Sequence, residues 1–353
     1  MKIKKPTFYF FIFFLLIGFF TTIAQQNKIE EPEATKLFRK DGIVKIKLDY
    51  SNKKLKSETN DSVYLKTTLF ALNKEDIWDT LNVSIKGRGN FRLANCYYAP
   101  VKMKIKKAQA KGTLFKGNKK LKLVLPCMTE KAANDNVIKE HMAYKIYEHI
   151  SPYHFKTRLF EADYTEQKGK KTKKHIVKGF FIEDLSRIAK RFECNELERS
   201  VHPLQQDGHC STRNAFFQFM IGNTDFSTGH QHNEKLLFVN KKTVPIPYDF
   251  DMSGLVNASY AVVSEIEGNE LPINTVRQRL YRGFVRDQAV FDDIRKEFLS
   301  KKDEILGTVD SLEPLFENPK TFEASKTYIK EFFSILSNDT KYNRQIVSVA
   351  RTK

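Results

Sequence analysis

Between Gly42 and Leu125 apolar and charged residues trade places one by one, and that rhythm constrains the fold more than any other feature of the chain. Ile43, Lys45 and Lys47 interleave with Val44, Ile46 and Leu48. Val101, Met103 and Ile105 alternate with Lys102, Lys104 and Lys106, and Leu121, Leu123 and Leu125 with Lys122, Val124 and Pro126. A period of two sends successive side chains to opposite faces, so these are strands with one buried and one wet face. A sheet that is wet on one side is expected to be antiparallel. The rhythm then changes. Val137, Ile138, Met142, Ile146 and Tyr147 recur at helical spacing behind Asn134 or Asp135 as N-cap. Strands are expected near residues 155–164 and 176–182, joined by the lysine-rich run 168–174, which reads as a solvated hairpin loop. After Arg187 the pattern is mainly helical, including residues 212–221, with a short hairpin over 236–239 and 243–248. From Asn274 on, Leu280, Phe284, Phe291, Ile294, Phe298 and Ile305 keep a helical spacing. A β-rich half thus precedes an α-rich half, and no internal repeat is visible.

The first residues have another purpose. Lys2, Lys4 and Lys5 precede an apolar stretch over residues 8–20, then Thr22-Ile23-Ala24. A positive flank, a short apolar core and small exit residues are the parts of a cleavable export signal over residues 1–24. The apolar stretch falls short of the roughly 20 residues that cross a bilayer, so no stable membrane span is expected after cleavage. No cysteine lies near Ala24 to carry a lipid. The expected location is outside the cytoplasm: periplasm, cell surface or secreted. Residues 25–40 read as a polar linker. Cleavage removes three lysines and no acids, taking the net charge from +18 to +15. Such a charge favours anionic partners, but the lysines lack the aromatic interleaving of a single-stranded nucleic-acid binder, so no nucleic acid is expected. Four cysteines in an oxidising compartment allow two disulfides. Proximity in sequence favours Cys96–Cys127 and Cys194–Cys210. A zinc site from Cys194, His202, His209 and Cys210 lacks the paired ligand spacing of such sites.

The segment most informative about chemistry runs over residues 216–254. An apolar helix leads into Gly222-Asn223-Thr224-Asp225, a polar loop ends at Asn233, and a hairpin delivers Asp249 and Asp251 beside Ser253-Gly254. Three carboxylates and an amide on separate loops suit a hard divalent cation and phosphoryl transfer. Asp249 and Asp251, at i and i+2 on an expected strand end, should point to the same side.

At these residues the sequence resembles the CotH kinase family of secreted atypical kinases. Gly222-Asn223-Thr224-Asp225, Asn233 and Pro247-Tyr248-Asp249-Phe250-Asp251 correspond to the family's Gly-Asn-x-Asp, downstream Asn and Asp-aromatic-Asp segments. Upstream, Arg88-Gly89-Asn90 resembles its Arg-Gly-Asn loop and Pro100–Lys104 its lysine-bearing strand. The resemblance lies in the order of motifs across residues 40–255. It implies an α+β, two-lobed atypical protein-kinase-like fold over residues 41–353, with a β-rich N-lobe to about 185 and an α-rich C-lobe beyond, and ATP with Mg2+ or Mn2+ between them. It also implies a secreted or surface protein as acceptor. By the same resemblance Asp225 handles the acceptor hydroxyl, and Asn233 with Asp249 or Asp251 ligates the metal. Gly87, Arg88 and Gly89 approach phosphates, Lys102 or Lys104 neutralises them, Glu140 holds that lysine, and Glu183 sits near the adenine.

Two departures stand out. Asp225 and Asn233 are eight positions apart instead of five, through the insert 227–232, and Phe91-Arg92 stands where the family commonly has serines. Each residue also has a plainer reading. The glycines close a turn, a β-strand lysine marks a solvent face, Glu140 lies on a helix surface, Asp225 terminates a helix, and His230 and His232 are solvated. On those terms the alternatives are a non-catalytic kinase-like scaffold or a hydrolase using the same acids to activate water.

Overall fold

The computed structural model describes Met1, residues 33–265 and residues 270–352. The expected export signal therefore lies, apart from Met1, outside the described residues. Seven strands, β1 (Val44–Tyr50), β2 (Leu65–Leu72), β3 (Trp78–Gly87), β4 (Val101–Ile105), β5 (Lys120–Val124), β6 (Thr157–Lys168) and β7 (Lys171–Ile182), form a closed barrel in the order β1-β2-β3-β4-β5-β7-β6. Its ladders are antiparallel except the closing one, where β1 runs parallel to β6 with Val44 opposite Phe160. A second sheet orders β10 (Lys242–Pro247), β9 (Glu234–Val239) and β8 (Asn195–Leu197). Pro245 and Pro247 are tolerated because β10 is an edge strand.

The short helices α1 (Asn52–Ser57), α2 (Asn90–Asn95) and α3 (Lys107–Ala110) lie between barrel strands. They are followed by α4 (Ala132–Ile150), α5 (Leu185–Arg191), α6 (Gly208–Ile221), α7 (Gln288–Ser300), α8 (Lys302–Ser311) and α9 (Pro319–Leu336). No helix among the described residues is long and apolar enough to cross a membrane.

This architecture overturns the two-lobed kinase-like expectation. The alternating apolar residues point into a sealed barrel: Ile46, Leu69, Val83, Met103, Leu121, Phe160 and Phe181 share one buried cluster. Each such side chain contributes roughly 1.5–3 kcal/mol on leaving water. The helices do not form a separate lobe. Val124, Leu159, Phe180 and Ile182, on the outer wall of the barrel, join one core with Tyr144 of α4, Phe217 of α6, Phe298 of α7 and Ile329 of α9. Residues 32–353 accordingly form one compact unit. The physical reason is β1: its parallel pairing with β6 removes both sheet edges, a pairing between residues too distant for any local pattern to encode.

Several boundaries also move. The last part of the segment read as a linker is packed, with Leu37 and Phe38 in the barrel core and Thr35 Oγ1 hydrogen-bonded to Asn118. Helix α4 starts ahead of its expected cap, because Asp135 instead accepts from the backbone N–H groups of Glu317 and Asn318 at the entry to α9. The lysine run is mostly strand, with Gly169 at positive φ in the β6–β7 turn. Among the described residues Cys96 and Cys127 form a disulfide, while Cys194 and Cys210 are free thiols.

The Cys96–Cys127 bridge spans 31 residues of sequence and fastens the end of α2 to the loop after β5. Restricting an unfolded loop of that size stabilises the native state by roughly 3–4 kcal/mol. Urea unfolding of Cys96→Ser should show a loss of that order, whereas Cys194→Ser should cost about 1 kcal/mol or less.

Candidate functional site

Helix α6 carries Phe216, Phe217 and Phe219 into the core and must stop at Gly222, which adopts a left-handed φ of 62°. A Cβ there would lie 1.9 Å from Tyr328 Oη, so only glycine fits. The chain then turns on Asn223, whose side chain donates to Gln218 and accepts from the N–H of Asp225. Asp225 Oδ2 accepts from Asn233 Nδ2 at 2.9 Å, and its Oδ1 from Ser264 Oγ at 2.9 Å. Burial opposes ionisation of Asp225, but hydrogen bonds from His232, Ser264 and Asn233 hold its carboxyl below the usual range. His232 Nε2 lies 3.1 Å from Asp225 Oδ1, so this histidine is part of the site and is not merely solvated. The long spacing from Asp225 to Asn233 also has a structural cause. Ser227 and His232 pair backbone to backbone in a miniature hairpin that folds the insert back and returns Asn233 to Asp225.

Asp249 and Asp251 follow β10 without continuing it. Asp249 has φ 67°, so the strand expected to carry both acids ends before them. The Asp249 N–H donates to Tyr144 Oη, and its carboxylate lies 3.4 Å from Arg88 Nη1. Asp251 accepts from Tyr260 Oη at 3.1 Å and lies 3.7 Å from Arg92 Nε. Burial pushes Asp251 up to about 6, with Arg92 opposing and the neighbouring charges of Asp249 and Asp225 adding to the rise. Three acids scattered over the sequence are thus electrostatic neighbours.

Glu140 is buried on α4, but its partner is not a β-strand lysine. Arg92 Nη1 stands 3.7 Å from it, and burial with the nearby Asp251 raises its carboxyl well above the usual range. Arg92, the residue that departs from the family pattern, also donates to the carbonyl of Leu125.

Lys102 and Lys104 lie on the outer face of β4, opposite in register to Lys86 and Lys122, and Ser84 and Lys120, respectively. The Lys104 ammonium sits over the Tyr64 ring at 3.9 Å, with no contact to Glu140. The glycines act through packing and conformation. A Cβ on Gly87 would meet Leu93 at 2.5 Å, and Gly89 takes φ 72° ahead of α2. The N–H of Gly87 is spent on Thr59 Oγ1 and that of Arg88 on the Pro100 carbonyl. Glu183 is apart from the acids, in a buried pair with Arg191 at 2.9 Å.

Lys122 and Glu234 are among the residues here that the sequence did not single out. Lys122 is the next lysine along the row that begins at Lys86 and Lys102. Its ammonium faces the Tyr248 ring at 4.2 Å, and burial together with nearby Arg88 lowers it to about 7. The alternation in β5 places it on the wet face, but only the barrel brings that face to Asp249. Glu234, directly after Asn233, is fully buried against Asn214 and Thr228, and burial raises it to about 8.

Among the described residues no group of three or more His, Cys, Asp or Glu side chains is arranged to hold a metal ion by itself. The cluster does carry unspent polar capacity. Buried Glu140 Oε1, Arg88 Nε and Nη2, and Arg92 Nε and Nη1 make no hydrogen bond. Cations beside carboxylates with unmet donors and acceptors fit a ligand bearing both signs, such as a divalent ion shared with phosphate oxygens, which needs only one or two carboxylates from the protein. No family model matches the chain, and no curated protein matches it either.

Two measurements probe this arrangement. Arg92→Met leaves Glu140 and Asp251 without their buried cation and should cost about 3–5 kcal/mol in urea unfolding, part of it regained in the double variant with Glu140→Gln. Glu234 binds its proton more tightly folded than unfolded. Its contribution is therefore complete below the unfolded carboxylate range and is lost as pH rises toward about 8. Unfolding midpoints recorded from acid to mildly alkaline pH should fall for the native chain and fall less for Glu234→Gln.

Proposed function

We propose that this chain is an exported, ATP- and divalent-metal-dependent kinase of the CotH type, transferring a phosphoryl group to a hydroxyl of a secreted or surface protein. The observation that carries the reading is the convergence of Asp225, Asp249, Asp251 and Glu140 with Arg88 and Arg92, in a cluster whose buried polar atoms are not all satisfied. The ordered motifs of the sequence resemblance and the Cys96–Cys127 disulfide, which suits an oxidising compartment, support it further.

In this reading Asp225, kept ionised by His232, Ser264 and Asn233, accepts the proton of the acceptor hydroxyl as its oxygen bonds to the terminal phosphorus and ADP leaves. Asn233, Asp249 and Asp251 are the groups to hold Mg2+ or Mn2+, which when bound neutralises phosphate charge. Lys122 and Arg88 face the same acids and take the phosphate-neutralising part that the sequence assigned to Lys102 or Lys104. Glu183 is given no nucleotide contact in this reading, because its carboxylate is paired with Arg191.

A second reading, a non-catalytic scaffold, is favoured by the same arginines. Arg88 and Arg92 already neutralise Asp249 and Asp251, the acids a cation needs. Labelled ATP with Mg2+ or Mn2+ separates the two. The native chain should label itself, Asp225→Asn should fall by roughly 100-fold or more, and Lys122→Ala should lose the nucleotide-dependent rise in melting temperature. Equal labelling of the native chain and Asp225→Asn would sink the kinase reading, and no thermal shift with any nucleotide would leave the scaffold.

A further inference from the structure

Next to the acid cluster lies a cleft of about 650 Å³ that the phosphoryl-transfer reading does not use. Its walls come from the start of α4, the start of α9 and the loop after Asp251, and three cations line it: Lys139, Arg277 and Lys320. Glu130, exposed at its margin, is the one acid among the lining residues. Among the described residues no carboxylate lies within ion-pairing distance of these three cations. Lys139, itself buried, donates to the Val256 carbonyl, and Arg277 donates to the Gly254 carbonyl at 3.0 Å while stacking over Tyr328. Asp135, the nearby acid that counteracts the cost of burying the Lys139 charge, has spent both carboxylate oxygens on the N–H groups of Glu317 and Asn318. Burial and the charge of Arg277 both act against the Lys139 ammonium. The first-turn N–H groups of α9 are taken by Asn318, so the side chains and not the helix ends are what the cleft offers.

A concave, partly desolvated wall with three cations, none of them in an ion pair among the described residues, focuses positive potential and lowers its energy by taking up an anion. We infer that this cleft is a second ligand site, for a phosphorylated small molecule, separate from the acids that serve phosphoryl transfer. Its volume is in the range of small-molecule pockets and far exceeds a single phosphate. Lys139 and Arg277 are fixed by backbone carbonyls at its base, and exposed Lys320 closes on the ligand from α9. Tyr260 joins the two sites: it lines the cleft, and its hydroxyl donates to Asp251.

The test is calorimetric titration of the full chain with tripolyphosphate and with a sugar phosphate, in buffer free of phosphate and divalent metal. Lys320 is exposed, so Lys320→Glu should fold normally and weaken binding at least tenfold, and Arg277→Gln should weaken it further. Asp225→Asn, which disables the proposed transfer site, should bind both probes like the native chain, so failure of the kinase reading leaves this result intact. Absence of saturable binding, or equal affinity in the native chain and Lys320→Glu, overturns the proposal. An acidic peptide binding more tightly than either probe overturns the small-ligand assignment.

Discussion

Arg92 is the constraint on which the rest of the site depends. Two buried carboxylates, Glu140 on α4 and Asp251 after β10, approach one another in a region where an uncompensated charge costs several kcal/mol. One guanidinium placed between them makes that tolerable. It is held there from two directions, by donation to the Leu125 carbonyl at the end of β5 and by the disulfide that ties α2 to the following loop. Barrel, long helix and acidic loop therefore meet at a single cation. Its distances of 3.7 Å to both carboxylates are those of a loose ion pair, so the cluster is neutralised without being saturated.

The barrel makes this economical. Sealing the sheet with the β1–β6 pair leaves an apolar interior and turns the outward-facing lysines of β3, β4 and β5 into one row. Like charges side by side on a sheet repel, and the row is relieved at both ends. Lys86 pairs with Asp61, and Lys122 rests on Tyr248 near Asp249. Positive charge that composition alone spreads over the whole chain is in this way brought up to the acids. The two kinds of charge then define a site in which neither has its full complement of partners.

Much of the local structure was legible. The alternation through Val101–Ile105 and Lys120–Val124 became strands with the expected faces buried, and Phe291, Ile294 and Phe298 became the buried side of a helix. The acids of the 216–254 segment were visible as chemistry because polar groups delivered by apolar elements have few structural uses. The partners of those acids were not visible. Glu140 answers to Arg92 instead of a strand lysine, and Lys122 replaces Lys104 beside the acids. Asp249 takes a left-handed backbone that no strand pattern foretells. Cys194 and Cys210, as close in sequence as any cysteine pair in the chain, are both thiols.

By itself, then, the sequence determined which face of each strand and helix leaves water, since that depends only on the spacing of apolar residues within an element. It also determined the chemical types that the loops present. Tertiary structure alone decided that the sheet closes, that the helices clothe its outer wall, and which cation stands beside which acid. Those outcomes rest on encounters between residues far apart in the chain, such as Val44 with Phe160 and Arg92 with Asp251. Their energies come from desolvation and packing that exist only once the whole barrel has formed.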